Sequence, residues 1–339
     1  MGRVVLVTGV SRDLGGRFAT LLTAEPDVDR VIGVDVVPPR QDLGRVRVVR
    51  ADIRNPVIAK VITEEAVDTV VHMNVIASPH GAGGRIAMKE INVIGTMQLI
   101  AACQQSPTVE SLVVKSSSAV YGASPRDPAM FSEDMEPRQL PRSGFGKDSV
   151  EVEGYVRGFA RRRPDVRVVL LRCASVVGPL IDTPLTRYFS LPVVPTVLGF
   201  DPRLQFCHED DALAALLQAA LCDAEGTINV AGDGILMLSQ ALRRMGRPAI
   251  PVPAMAVGTV AATLRRSGAL DFSAEQVSLL TYGRGIDTSR MRDTLKFTPD
   301  YTTAEAFGDF ARSAAEGALR AERVVAAEQL IQSMLTSRR

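Results

Sequence analysis

Serine hydroxyls stand at two places in this chain where they could do chemistry. The run Ser116, Ser117, Ser118 closes the β-branched segment VESLVVKSSS, and Ser143 lies four residues before Lys147 in PRSGFGKDSVEVEG. At the carboxyl end of a strand in an open α/β sheet, a serine can hydrogen-bond a substrate carbonyl or hydroxyl. It can equally cap its own backbone. Ser143 alone is a poor proton donor: a tyrosine titrates at about 10, within reach of tuning by a cation, whereas an alkyl hydroxyl is several units weaker and needs its own base. No histidine is nearby in sequence to serve as one. Glu133 and Asp134, in the loop FSEDMEP, could furnish an acid or base for dehydration, although loop carboxylates usually just face water.

The elements that must position these groups are legible up to about residue 175. Runs such as RVVLVTG, RVIGVDV, VDTVVHMN and VRVVLLRCAS alternate with helical patterns. Near-continuous Val/Ile/Leu runs suit strands buried on both faces, and the intervening helices supply the crossovers of a parallel sheet. The expected fold is α/β, a Rossmann-type doubly wound parallel sheet with a smaller C-terminal substrate lobe. Residues 1–178 are expected to form this main sheet domain. Residues 179–302, in which the Pro-rich GPLIDTPL reads as loop and GTINVAGDG as one more strand and a turn, are expected to form the lobe, with the chain returning to the core. Residues 303–339 read as an amphipathic helix on the surface or at a subunit contact.

At the first strand-to-helix junction, VTGVSRDLGG has the context of a dinucleotide fingerprint. Gly9 allows the tight turn, Gly15 lets the helix pack close to the sheet, and free N–H groups at the helix start face a pyrophosphate. Asp35 closes the second strand twenty positions after Gly15, where a carboxylate can bind ribose hydroxyls, and Asp52 and Ile53 end the third, at the adenine edge.

Composition narrows the partners. A chain of 339 residues that is 46% hydrophobic can bury a full core, and a net charge of +1 offers no broad attraction for nucleic acid or an anionic membrane. A small-molecule substrate is the expectation. Cys103, Cys173, Cys207 and Cys222 lack CxxC spacing and a companion histidine cluster, so they read as reduced thiols and no metal site is expected. No leader pattern precedes the strand starting at Val4, and PVPAMAVGTVAATL is too short and interrupted to span a bilayer. A cytoplasmic protein is expected.

Taken with VVHMNVIASP, NVIGTMQLIAACQ, VVKSSSAVYG, LRCASVVGP, LQFCHEDDALAA and IDTSRMRDTLKFTP, the fingerprint resembles the extended short-chain dehydrogenase/reductase superfamily, in its NAD-dependent epimerase/dehydratase branch. The resemblance runs over nearly the whole chain. RADIRNP, GILMLSQA and KDS are similar to actinobacterial UDP-glucose 4-epimerase-like members. It implies a cofactor site of Gly9, Ser11, Arg12, Asp13, Leu14, Gly15, Asp35, Asp52, Ile53, Asn74, Ala77, Ser116 and Lys147. It implies a catalytic set of Ser117 or Ser118, Lys147, the residue at 143, and Tyr121, which borders the nicotinamide pocket and is the best-placed substitute phenol. It also implies a homodimer built on the helices MKEINVIGTMQLIAACQ and FGKDSVEVEGYVRGFARR.

Three departures from the family pattern matter. In the family, the phenol of YxxxK moves the proton while the lysine lowers its pKa and holds the nicotinamide ribose; here Ser143 stands where that tyrosine belongs. Arg12 replaces the middle glycine of the fingerprint, which would suit a 2′-phosphate, or a loop cation that merely neutralises the pyrophosphate. Asp35 would repel that phosphate. NAD is therefore the expected cofactor and NADP the alternative. Ser175 stands where an asparagine commonly contacts a sugar-nucleotide diphosphate, and the diphosphate arginine is absent unless Arg203 fills in. Tyr155, eight residues past Lys147, reads as core, as does His72; His208 and Asp211 read as capping or anchoring groups. The expected activity is an NAD(P)-dependent epimerase or dehydratase acting on a nucleotide sugar or another hydroxylated small molecule. The alternatives are a catalytically silent NAD(P)-binding sensor, or a non-redox isomerase, lyase or cyclase using the Glu133/Asp134 loop.

Overall fold

The computed structural model describes residues 2–73, 75–77, 83–266 and 273–317. The β-branched runs form β1 (Arg3–Thr8), β2 (Val28–Asp35), β3 (Arg47–Arg50), β4 (Thr69–His72), β5 (Ser111–Ser117) and β6 (Arg167–Cys173). With the strand Gly226–Val230 they make one seven-stranded sheet, in the order Gly226–Val230, β6, β5, β4, β1, β2, β3, and every neighbouring pair is parallel. The winding reverses between β1 and β4, which opens a crevice above their carboxyl ends.

Leu112, Val113 and Val114 of β5 are each at most 1% exposed, so both faces of the strand are covered and the run has no polar alternation. On one face, α1 (Asp13–Leu22) and the helix Glu209–Leu221 pack Phe18, Leu22, Leu213 and Leu216 into the core. On the other lie α2 (Val57–Glu64), α3 (Arg85–Lys89), a π-helical turn at Glu90–Gly95, α4 (Thr96–Gln105) and α5 (Gly144–Arg162).

The run Arg85–Gln105 is 21 residues with mean hydropathy 1.2, long and apolar enough to cross a membrane by those measures. Half of its apolar window is buried inside the fold, with Leu99 and Ile100 in the core. It is this helix, not the segment around Ala254–Leu264, that carries the longest apolar stretch among the described residues. On α5 the buried stripe is Val152, Val156 and Phe159, and Tyr155 falls at its edge. Expected in the core, Tyr155 is instead 38% exposed.

Beyond Gly178 the chain builds the lobe from short paired strands and helices around Tyr188, Phe189, Phe206 and Phe307. The helix Glu209–Leu221 and the strand Gly226–Val230 return to the main core. Helix Thr303–Gly317 buries Phe307 and Phe310 in the lobe. The rest of the expected terminal helix, 318–339, lies outside the described residues.

Candidate functional site

The β1–α1 turn is shaped by two glycines. Gly9 has φ +83°, in the left-handed region that favours glycine. A Cβ on Gly15 would sit 2.1 Å from the Gly9 carbonyl oxygen, so only glycine lets α1 approach this closely. Arg12 occupies the N-cap with extended backbone and no side-chain cap bond, and Asp13 and Leu14 open the first turn. The head of α1 therefore presents backbone N–H groups and the positive end of the helix dipole to the crevice.

Asp35 is already oriented. Its Oδ2 accepts from the Ser11 backbone N–H (3.0 Å) and hydroxyl (2.6 Å), and its Oδ1 accepts from Val36 N (2.7 Å). Arg12 is half-buried beside it; burial lowers the guanidinium's pKa while the Asp35 charge works the other way. Asp52 is clamped by Arg54, with contacts of 2.7 to 3.1 Å, and those bonds hold its carboxyl below the usual range. Ile53 packs under Gly95, where a Cβ would lie 2.8 Å from its terminal methyl. Asn74 lies outside the described residues, and Ala77 is exposed. The loop between them is pinned by Asn92, whose amide bonds both N and O of Ile76 at 2.7 and 2.9 Å. This asparagine opens the run NVIGTMQLIAACQ, but its role was not read from it; the π-helical turn aims it at the loop.

The three serines go to three different places. Ser116 is 2% exposed and donates to Glu153 Oε1 (2.6 Å), so its hydroxyl faces α5 and not the crevice. Ser117 Oγ accepts from Ala119 N (3.2 Å), capping the short helical turn Ser118–Tyr121. Ser118 lines a small pocket with Ala174, Ser175, Leu204, Gln205, Phe206, Leu279, Arg284 and Ile286.

Tyr121, the candidate substitute phenol, is 1% exposed. Its hydroxyl donates to Asn229 Oδ1 (2.9 Å) and accepts from Arg172 Nη1 (2.8 Å). Burial raises the phenol's pKa, and Arg172 only partly offsets that. The structure thus directs Tyr121 into a buried network and does not bring its hydroxyl to Ser118 or Lys147. Glu133 belongs to the same network, accepting from Asn229 N (2.8 Å), while Asp134 is exposed and pairs with Arg290.

At the head of α5, Ser143 is the exposed N-cap residue and makes no side-chain cap bond. Lys147 is half-exposed, with Nζ 3.8 Å from Glu151. Such a surface pair is worth little and leaves the ammonium free to change partner. Arg85 braces this helix end, reaching both oxygens of the buried Asp148 at 2.5 and 2.6 Å and the Gly144 carbonyl at 2.9 Å. His72 is a satisfied core residue between Thr8 and Thr96, 2.8 Å from each hydroxyl. His208 caps the helix Glu209–Leu221, accepting from Asp210 N, and stacks on Tyr301; Asp211 holds the N–H groups of Asp300 and Tyr301.

Arg284 was not evident from the sequence. It is half-buried, donates to Gly122 O (2.8 Å) and lines the pocket, whereas the Arg203 side chain is exposed. The one local signal is its place between two glycines in YGRGID, where Gly283 lies so close to Arg203 that a Cβ would be 2.4 Å from the Arg203 carbonyl oxygen.

The chain is 50% identical over 314 residues, 91% of its length and 84% of the relative's, to an uncharacterised protein of Mycobacterium tuberculosis. Its fold matches dTDP-glucose 4,6-dehydratase from Bacillus anthracis, solved with NAD (TM-score 0.69, 16% identity, 93% of this chain and 97% of the other). It also matches UDP-glucuronic acid 4-epimerase from Bacillus cereus, solved with UDP-glucuronic acid and NAD (TM-score 0.69, 18% identity, 92% and 99%). Residues 5–231 match the NAD dependent epimerase/dehydratase family, and the chain belongs to that family.

Proposed function

We propose that the protein is an NAD-dependent epimerase or dehydratase acting on a nucleotide sugar or a similarly hydroxylated small molecule. The observation that carries this reading is the carboxyl edge of the main sheet, which has two halves. One half is the glycine cradle at Gly9 and Gly15 with the pre-oriented Asp35 carboxylate. The other is a pocket where Ser118, Ser175 and Arg284 converge.

The residues present fit a dinucleotide. The space that a Cβ on Gly15 would fill is taken by close backbone packing, which lets the head of α1 meet a pyrophosphate. The Asp35 carboxylate would accept from adenosine ribose hydroxyls, and its charge disfavours a 2′-phosphate, so NAD is preferred over NADP. Lys147 would hold the nicotinamide ribose after leaving Glu151. Bound there, NAD supplies reversible hydride acceptance. Ser118 would hydrogen-bond a substrate hydroxyl or carbonyl, and Arg284 would pair with a diphosphate, a role its guanidinium suits better than an ammonium would.

The test is calorimetric titration of the cofactor-stripped protein with NAD⁺, NADH, NADP⁺ and NADPH, alongside Asp35→Ala, followed by a screen of UDP- and dTDP-sugars. Tight NAD(H) binding that is lost in the variant supports the reading, and no dinucleotide binding at all sinks it. The exposed Ser143 favours a second reading, a silent NAD-binding sensor. Tight dinucleotide binding with no turnover of any sugar in the screen is the outcome that selects it.

A further inference from the structure

The head of α5 is occupied by a carboxylate from far along the chain. Helix Ala274–Tyr282 starts at the capping residue Ser273 and carries Glu275 in its first turn. Glu275 Oε2 accepts from the backbone N–H of Gly146 at 2.8 Å. A Cβ on Gly144 would lie 2.8 Å from that same oxygen, and a Cβ on Gly146 would lie 2.8 Å from both Glu275 Oε1 and the Ala119 carbonyl oxygen. Glycine at both positions therefore makes room for the carboxylate. It sits between the first turn of α5, which Ser143 begins, and the turn that starts at Ser118.

The helix that delivers Glu275 also walls the pocket. Leu279, one turn further on, lines it, and Arg284, just past the helix end, lines it too and faces Glu275 electrostatically. The other charged groups around Glu275 are Asp148 on α5 and Arg85 on α3. Gly146 engages Oε2, which leaves Oε1 to take a proton.

We propose that Glu275 is the proton-exchanging group at the head of α5, beside this pocket, doing the work that the side chain at position 143 cannot. This rests on the epimerase/dehydratase reading above. When a substrate hydroxyl is oxidised, its O–H bond breaks and the proton passes to Glu275 Oε1, giving a neutral carboxylic acid. The electron pair left on oxygen becomes the second C–O bond, and the C–H pair leaves as hydride to the dinucleotide, the oxidant of that reading. The return step reverses each transfer. Burial raises the carboxyl's pKa, opposed by the Gly146 N–H and Arg284, so it is a stronger base than an exposed glutamate.

Two measurements on the full chain test this. The first needs no turnover: labelling with a water-soluble carbodiimide and an amine, mapped by peptide mass, without ligand and then with NAD⁺ plus UDP-glucose. Modification of Glu275 that the ligands suppress is the expected result; an unmodified Glu275, under conditions that modify exposed carboxylates, means that it is sealed as a structural cap and overturns the proposal. The second compares the wild type with Glu275→Gln and Glu275→Asp for melting temperature, NAD⁺ affinity and turnover against pH. Glu275→Gln is expected to lose about 10²–10⁴-fold in kcat, together with the acid limb of the pH profile. NAD⁺ affinity and melting should hold, and Glu275→Asp should recover part of the rate and the limb. If Glu275→Gln keeps the limb, or if melting and NAD⁺ binding fall in step with rate, the role is structural and the proposal fails. If the wild type neither binds nor turns over any nucleotide sugar, the substrate reading fails first and takes this assignment with it, whatever the labelling shows.

Discussion

Arg172 meets Glu153 fork to fork inside the sheet–helix interface, with Nε 3.0 Å from Oε1 and Nη2 2.7 Å from Oε2, both side chains nearly buried. Burial works against the guanidinium's charge, but the Glu153 carboxylate outweighs it and the pKa of Arg172 rises. Arg172 also bonds the Tyr121 hydroxyl, and its guanidinium carbon lies 4.8 Å from the centre of that ring. Ser116 completes the set through Glu153. One ion pair thus joins the end of β5, α5, β6 and the turn that carries Ser118. Glu153→Gln leaves Arg172 charged, buried and unpaired, and should cost about 3–5 kcal/mol. Replacing both partners with Leu and Met should cost much less. Urea unfolding of the two variants decides it, and equal losses would show that the charges are not coupled.

His72 gives the fold an acid limit. Fully buried between two threonine hydroxyls, its imidazole is pushed down from 6.5 to about 4 by desolvation. Between those values the unfolded chain binds a proton that the folded one does not, so stability falls as pH drops from about 6.5 toward 4 and is unaffected above that window. The full span amounts to roughly 3 kcal/mol. His72→Gln should flatten this part of the curve, measured as unfolding free energy against pH. An unchanged slope would assign it to other groups.

The main sheet is readable from sequence because burial on both faces removes polar alternation, and Val, Ile and Leu can then mark every strand. The cofactor turn is readable because its geometry is local: Gly9, Gly15 and Asp35 act through backbone shape and one strand end. The pocket and the head of α5 beside it are different. Glu275 reaches Gly146 across 129 residues, and Arg284 bonds Gly122 across 162, so their places are set by how the lobe folds back and no spacing rule reports them. Ser116 and Ser118 diverge for a related reason. The strand ends at Ser117 and a helical turn begins, which breaks the two-residue alternation that would put both on one face.

Two glycine substitutions should act in opposite directions. Gly15→Ala drives a methyl to 2.1 Å from the Gly9 carbonyl, where backbone must shift. Overpacking of this kind costs about 1–3 kcal/mol, and the opened turn should weaken NAD⁺ binding at least as strongly. Gly154→Ala, in the middle of α5 with nothing within 4 Å of the new carbon, should instead stabilise by up to about 1 kcal/mol. Thermal melts with and without NAD⁺ read both effects. A Gly15→Ala protein that binds NAD⁺ like the wild type would remove the cradle from the cofactor argument.

Ser143→Tyr tests what the exposed N-cap position lacks. The serine makes no cap bond, and its backbone is extended at φ −155°, which any residue adopts, so the substitution should change stability by no more than about 0.5 kcal/mol. A phenol there stands four residues before Lys147, whose ammonium would lower its pKa. With NAD⁺ bound and a nucleotide sugar supplied, nicotinamide absorbance should report a gain of about 10²-fold or more if proton transfer limits the wild type. Ser143→Phe is the control: it adds the ring without the acidic proton and should gain nothing. Equal gains in both variants would mean that the ring packs the substrate and exchanges no proton. A gain in Ser143→Tyr over a wild type with no measurable turnover would place the natural protein among NAD-binding sensors, since only the missing proton donor would then separate it from an enzyme.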